Sequence, residues 1–175
     1  MADGISTTCG QIRWRGGEFT QDQILEQIAT AGYDGAPAFA PSLDDVDSVR
    51  QNFDVAGLRP TPACFGAEFW DESQADEIVA RAAHTAATAK AFGLTEVDVA
   101  ANLTQARRGL SGRVQASDGL SADAKDVFAR TLDRLRAATL NHAVKASIHN
   151  HEGVASGKRS PSKAKTRWKP PSRLA

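Results

Sequence analysis

The sequence predicts an α/β fold in which parallel strands are joined by crossover helices. Short apolar runs of strand character alternate with segments of helical periodicity from residue 4 to residue 149. The helical segments end on glycine or asparagine a few residues before the next strand. Strand starts recur at roughly 25–50 residues, the spacing of a βα unit.

Gly4–Thr8 is the first predicted strand. Thr20 is placed to cap a helix in which Ile24, Leu25, Ile28 and Ala31 recur on one face, and Gly32 stands where a helix-terminating glycine belongs. Tyr33–Phe39 reads as the second strand. Ser42, followed by Asp44 and Asp45, opens the next helix with acids in its first turn. Val46, Val49, Phe53 and Ala56 form its apolar stripe and Gly57 ends it. Leu58–Phe65 is a third strand whose two prolines place it near a sheet edge or at a strand start.

Asp71–Ala91 is the clearest helix, with Ile78, Ala82, Ala86 and Ala89 on one side and Phe92-Gly93 closing it. Glu96–Ala100 is the fourth strand. Residues 102–121 are polar, carry Arg107, Arg108 and three glycines, and read as a long surface loop, a length that points to function. Ser121 caps a helix running to Leu140 on Val127, Phe128, Leu132, Leu135 and Ala138. Asn141 or His142 ends it, and Ala143–His149 is the fifth strand. Right-handed crossovers then set each strand beside its neighbour. Pattern alone leaves a barrel and an open doubly wound sheet as alternatives, although no GxGxxG follows the first strand.

Charge divides the 175 residues unequally. The formal net charge is zero, with 21 basic and 21 acidic residues. Residues 154–175 hold seven of the bases and no acid, which leaves 14 bases against 21 acids in residues 1–153, a net of −7. Cys9 and Cys64 are widely separated and form no CxxC pair, so a zinc knot or disulfide framework is not indicated. No apolar run approaches the ~18 residues of a membrane span. With no secretory leader pattern, the expectation is a cytoplasmic protein with no membrane partner.

Five phrases, in this order and spacing, carry a family resemblance: GISTTCG at 4–10, IATAGYDG at 28–35, AGLRPTPACF at 56–65, AFGLTEVDVA at 91–100 and HNHEG at 149–153. Together they resemble the xylose isomerase-like TIM-barrel superfamily, the group of sugar phosphate isomerases and epimerases and inosose dehydratases. The resemblance implies an incomplete (β/α)8 barrel over residues 1–153, cut after its fifth strand, because a whole barrel takes roughly 250 residues. It also implies a divalent metal (Mn, Co, Zn or Mg) at the C-terminal strand ends, assisting proton abstraction from a sugar or inosose. His149 and His151 are the implied metal ligands, and with Glu152 the implied catalytic residues. Glu68 and Trp70, after the third strand, and Arg107 and Arg108, after the fourth, are the implied substrate contacts. Many relatives carry a glutamate at the end of the second strand, where this chain has Ala36-Pro37.

The tail, VASGKRSPSKAKTRWKPPSRLA, has three prolines and no hydrophobic period, as a disordered basic arm does. Two readings stay open. Such an arm would make the chain a small α/β module that recruits nucleic acid or an acidic partner, the alternative to the sugar enzyme. Shifted by two bases, a GC-rich back-translation of residues 163–174 instead reads as an acidic helix start, so the tail would be an out-of-frame product. A barrel lacking three units would expose open sheet edges, inviting self-association, and would lack isomerase activity.

Overall fold

The computed structural model describes residues 19–104, 110, 113 and 115–149. The predicted strand Gly4–Thr8, Cys9, Arg107, Arg108, His151, Glu152 and the basic tail lie outside the described residues. In chain order the elements are α1 (Gln21–Thr30), β1 (Gly35–Pro37), α2 (Val46–Ala56), β2 (Arg59–Thr61), β3 (Cys64–Ala67), a 3-10 turn (Glu72–Gln74), α3 (Ala75–Ala91), β4 (Glu96–Ala101), a 3-10 turn (Ala116–Asp118), α4 (Ala122–Leu140) and β5 (Lys145–Ile148).

Local chemistry sets the helix starts. At α1 the Thr20 hydroxyl accepts from the Gln23 amide at 3.4 Å, and Gln23 Oε1 accepts from the Thr20 amide at 3.0 Å, a reciprocal capping box. Ser121 Oγ accepts from the Ala124 amide at the start of α4. Ser42 does not open α2: its hydroxyl donates to Asp45 Oδ2 at 2.7 Å, and the helix begins at Val46 with no side-chain cap. Asp71 likewise caps the 3-10 turn rather than a helix. It accepts from the Ser73 amide and hydroxyl and from Gln74 Nε2, and α3 begins at Ala75. These donors, led by the Ser73 and Gln74 side chains, hold the Asp71 carboxyl below the usual aspartate range.

Among the described residues, the four helices close with the same pair of backbone bonds. One residue at the helix end donates three residues back and its successor donates five back: Gly32 to Ala29 and Tyr33 to Ile28, Gly57 to Asp54 and Leu58 to Phe53, Gly93 to Lys90 and Leu94 to Ala89, and Ala143 to Leu140 and Val144 to Thr139. This closure requires a left-handed backbone at the first of each pair. Three of the four positions are glycine; the fourth is Ala143, at φ 58°.

Every strand pair is parallel. β1 pairs with β2, and β3, β4 and β5 pair in that order. The predicted third strand, Leu58–Phe65, is thus two short strands, β3 running on to Ala67. The cause is Pro62. Before it, Arg59 donates to Asp34 and Thr61 accepts from Ala38, so the odd residues bond towards β1. After it, Ala63 accepts from Asp98 and Ala67 from Asn102, so the odd residues bond towards β4. The bonding edge reverses across a proline that has no amide to donate, and one extended segment thereby serves both neighbours.

The helices occupy one face. α1 packs on α2 and α3 on α4, while Arg50 of α2 donates to the Ala91 carbonyl at the end of α3 and lies over the Phe92 ring. Strand order follows chain order with no reversal, which is the singly wound arrangement of a barrel wall and removes the doubly wound alternative. The core lies between helices and strands. Ile24, Leu25, Ile28, Ala36, Val49 and Phe53 fill one part. Ala67, Phe69, Ile78, Ala82, Val99 and Leu135 fill another, where Phe69 meets Phe65 and Phe128 edge to face.

Candidate functional site

Because successive strand residues point to opposite faces, the core assignments fix what lines the other side. Phe65, Ala67, Val97, Val99, Ala101 and Ala146 pack against helices. Their neighbours in sequence face away, towards what is the inside of a barrel. Register aligns Cys64 with Asp98 and Ser147, and Gly66 with Ala100. The ladder continues past the strand ends, since Asn102 donates to the Ala67 carbonyl at 2.9 Å and His149 to the Val99 carbonyl at 2.8 Å. Glu68, Asn102 and His149 therefore succeed one another across the C-terminal ends of β3, β4 and β5. His149 is level with Ala100, two residues below the Glu68–Asn102 pair, so two strand spacings, roughly 10 Å, and a stagger of roughly 7 Å along the strands separate Glu68 from His149.

Asn102 is the centre of this row. Its Oδ1 stands 2.6 Å from the point where a Cβ on Gly66 would be, so the carboxamide occupies the space a side chain at 66 would fill. Asn102 and His149 are exposed and Glu68 is half-buried. Two residues beyond Asn102, the hydroxyl of Thr104 is buried with no hydrogen-bond partner among the described residues. Lower on the same face, partial burial and then the Asp98 carboxylate push the Cys64 thiol above its ordinary value, so at neutral pH it is protonated.

Of the residues the sequence singled out, Glu68 and His149 come to the same sheet end. Trp70 does not join them. It packs, half-buried, against the helix-side cluster of Ala67, Phe69 and Ile78, because Glu68 and Asp71 close a tight turn there, with the Asp71 amide donating to the Glu68 carbonyl at 2.8 Å. An aromatic on the inner side is instead Phe39, 51% exposed just after β1, where Ala36, Ala38 and Ala40 take the core side. Sequence reading passed over Asn102 and Gly66. The signal for them was an isolated glycine within a strand, which marks a close approach, and a polar residue directly after the apolar run Val97–Ala101.

A divalent cation calls for several hard or imidazole ligands converging on one point. Among the described residues no three His, Cys, Asp or Glu side chains do so. The carboxylate of Glu68 and the imidazole of His149 stand on strands two apart, with an amide between them. The described residues alone do not make a metal site, and the second implied ligand, His151, lies outside them.

These features define a class: a singly wound parallel α/β wall with polar residues at its C-terminal strand ends. Solved structures that share that fold include two at similar TM-scores. One is a xylose isomerase-like TIM-barrel protein from Mycobacterium smegmatis in complex with magnesium, 16% identical, with a TM-score of 0.55 over 75% of this chain and 47% of that one. The other is a sugar phosphate isomerase/epimerase from Parabacteroides distasonis, 14% identical, with a TM-score of 0.53 over 86% of this chain and 52% of that one. No family model and no curated protein matches the chain. The fold is therefore that of part of a TIM barrel, and the chain spans about half the length of each of these two structures. Among the described residues no helix is long and apolar enough to cross a membrane.

Proposed function

We propose that this chain is part of a sugar isomerase/epimerase-type barrel and that the inner strand-end row forms one wall of a cleft for a polyhydroxylated ligand, a ketose or an inosose. The observation that carries this reading is the placement of Glu68, Asn102 and His149 at the C-terminal ends of three adjacent parallel strands, where barrels of this fold keep their chemistry. A carboxylate, an amide and an imidazole offer acceptors and donors to hydroxyl and carbonyl oxygens. Phe39 adds an apolar ring that a sugar can cover with its C–H face. Glu68 has the chemistry of a general base for a proton beside a carbonyl, and His149 that of a partner polarising the oxygen.

Binding and turnover are separable. The chain spans about half the length of the two barrels it resembles, and the described residues approach the ligand from one side. We therefore expect the 175-residue protein to bind polyols weakly and not to turn them over. The test is to incubate the purified protein with a panel of ketoses and inososes in deuterated buffer. Ligand resonances are followed by saturation-transfer NMR, and carbon-bound deuterium is scored after a day, with and without Mn²⁺ or Mg²⁺. Saturation transfer without deuterium uptake is the expected result. Metal-dependent deuterium uptake would refute the loss of activity, and absence of transfer to every ligand would refute the binding wall.

A further inference from the structure

We propose that Asn102 is the residue that orients the ligand on this wall, its carboxamide engaging a vicinal diol by accepting from one hydroxyl and donating to the next. The inference rests on the sugar-binding reading above and assigns it an atom-level contact. A carboxamide presents an acceptor oxygen and two N–H donors in one plane, which matches the paired donor and acceptor of neighbouring hydroxyls.

Three observations single out Asn102 from its neighbours. The first is that its backbone is fixed: its amide bonds to the Ala67 carbonyl, holding β4 in register with β3 one residue past the strand end. The second is the space over Gly66. With Oδ1 only 2.6 Å from the position of a Cβ there, any other residue at 66 would displace the carboxamide, so the glycine and the asparagine form one unit. The third is the buried Thr104 hydroxyl without a partner among the described residues, two positions further on. A polar group left unbonded in this way is costly unless something else supplies the bond, and a hydroxyl-rich ligand or its associated water at this strand end does so. Glu68 lies level with the amide on one side and His149 two residues lower on the other, so a ligand centred on Asn102 and lying obliquely across the ladder reaches both.

The experiment is a double-mutant cycle on ligand affinity. The purified 175-residue protein is titrated with D-fructose and with myo-inositol, and dissociation constants are read from amide chemical shifts. The variants are Asn102→Ala, Gly66→Ala and the pair. Gly66→Ala is expected to fold, because the atom in its way is the free end of a side chain and the next nearest, the Ala100 carbonyl oxygen, is at an ordinary 3.6 Å. Each single change should weaken binding roughly five- to tenfold, the loss of about one hydrogen bond. The pair should be no weaker than either single change, because both remove the same contact. Asn102→Asp, which keeps an acceptor and loses the donors, should also weaken binding, and it carries the test if Gly66→Ala unfolds. Unchanged affinity in Asn102→Ala, or losses that multiply in the pair, would overturn the inference while leaving the sugar-binding reading intact. If the unmutated protein binds neither polyol, the reading itself fails and takes the inference with it.

Discussion

Among the described residues Ala143 is the one helix closure built without glycine, and replacing it tests how the βα repeat is assembled. Its φ of 58° puts an L-residue in the left-handed region, beside three equivalent closures at 68–85° that all use glycine. That conformation costs an alanine about 1–2 kcal/mol. A glycine gains this back but loses about 0.4–1 kcal/mol through the freer unfolded chain. The side chain is exposed, so its removal sacrifices no packing, and Val144, fully buried next to it, keeps the apolar contact that accompanies this closure. Ala143→Gly should therefore stabilise the protein by about 0.5–1 kcal/mol, which in a chain of this size raises Tm by about 1–4 °C. Urea unfolding should show a higher midpoint with unchanged slope. The companion change Ala143→Val should lose more than about 1 kcal/mol, because a β-branched residue fits this region worst. A neutral or destabilising glycine together with a harmless valine would refute the left-handed closure.

Three further outcomes follow from the packing and charges. Phe69→Ala should cost about 3–5 kcal/mol in urea unfolding, since the ring is fully buried between Phe65 and Phe128. Removing Arg130 or Arg134, whose ion pairs with Glu72 and Asp76 join α4 to the start of α3 on the exposed surface, should each change stability by less than about 1 kcal/mol in the same assay. In a Cys9→Ser background, Asp98→Asn should speed labelling of Cys64 by a thiol reagent near neutral pH. The Asp98 carboxylate disfavours the thiolate, so its neutralisation lowers the thiol pKa and raises the reactive fraction; the expected profile shifts to lower pH.

Much of this architecture was legible in the sequence because it is written in local signals. Thr20, Ser121, Gly32, Gly57 and Gly93 mark helix ends by chemistry that acts within one turn. The apolar stripes of α1 to α4 marked their buried faces. The misreadings arose where a residue had a competing local partner or a long-range role. Ser42 bonds to Asp45 and not to a helix amide, a choice that residue type does not reveal. Pro62 was read as a sign of an edge, whereas it switches one segment between two neighbours, which is visible only when both neighbours are placed. Ala143 carries no sequence mark of its left-handed backbone, because tertiary packing of Val144 and β5 imposes it.

The site was legible in part for the same reason. Glu68 and His149 follow predicted strands, so their arrival at one end of one sheet followed from the βα order alone. Trp70 is only two residues past Glu68, but the turn at Glu68–Asp71 carries it back over the core. Asn102 emerges only in three dimensions, since its meaning depends on Gly66, 36 positions earlier and diagonally across the ladder. Self-association belongs with these questions of surroundings. Ile148, 61% exposed on β5, is the apolar residue a second chain would cover, and Ile148→Lys should reduce any concentration-dependent increase in sedimentation coefficient.

On the proposed reading the inner strand-end row, and not the helical face or the basic tail, is where this protein meets its ligand. Amide chemical-shift mapping with a ketose tests it most directly. The largest shifts are expected on Gly66, Glu68, Asn102 and His149, with α3 and α4 unmoved. Shifts concentrated on the helices or within residues 154–175, or none at all, would contradict it.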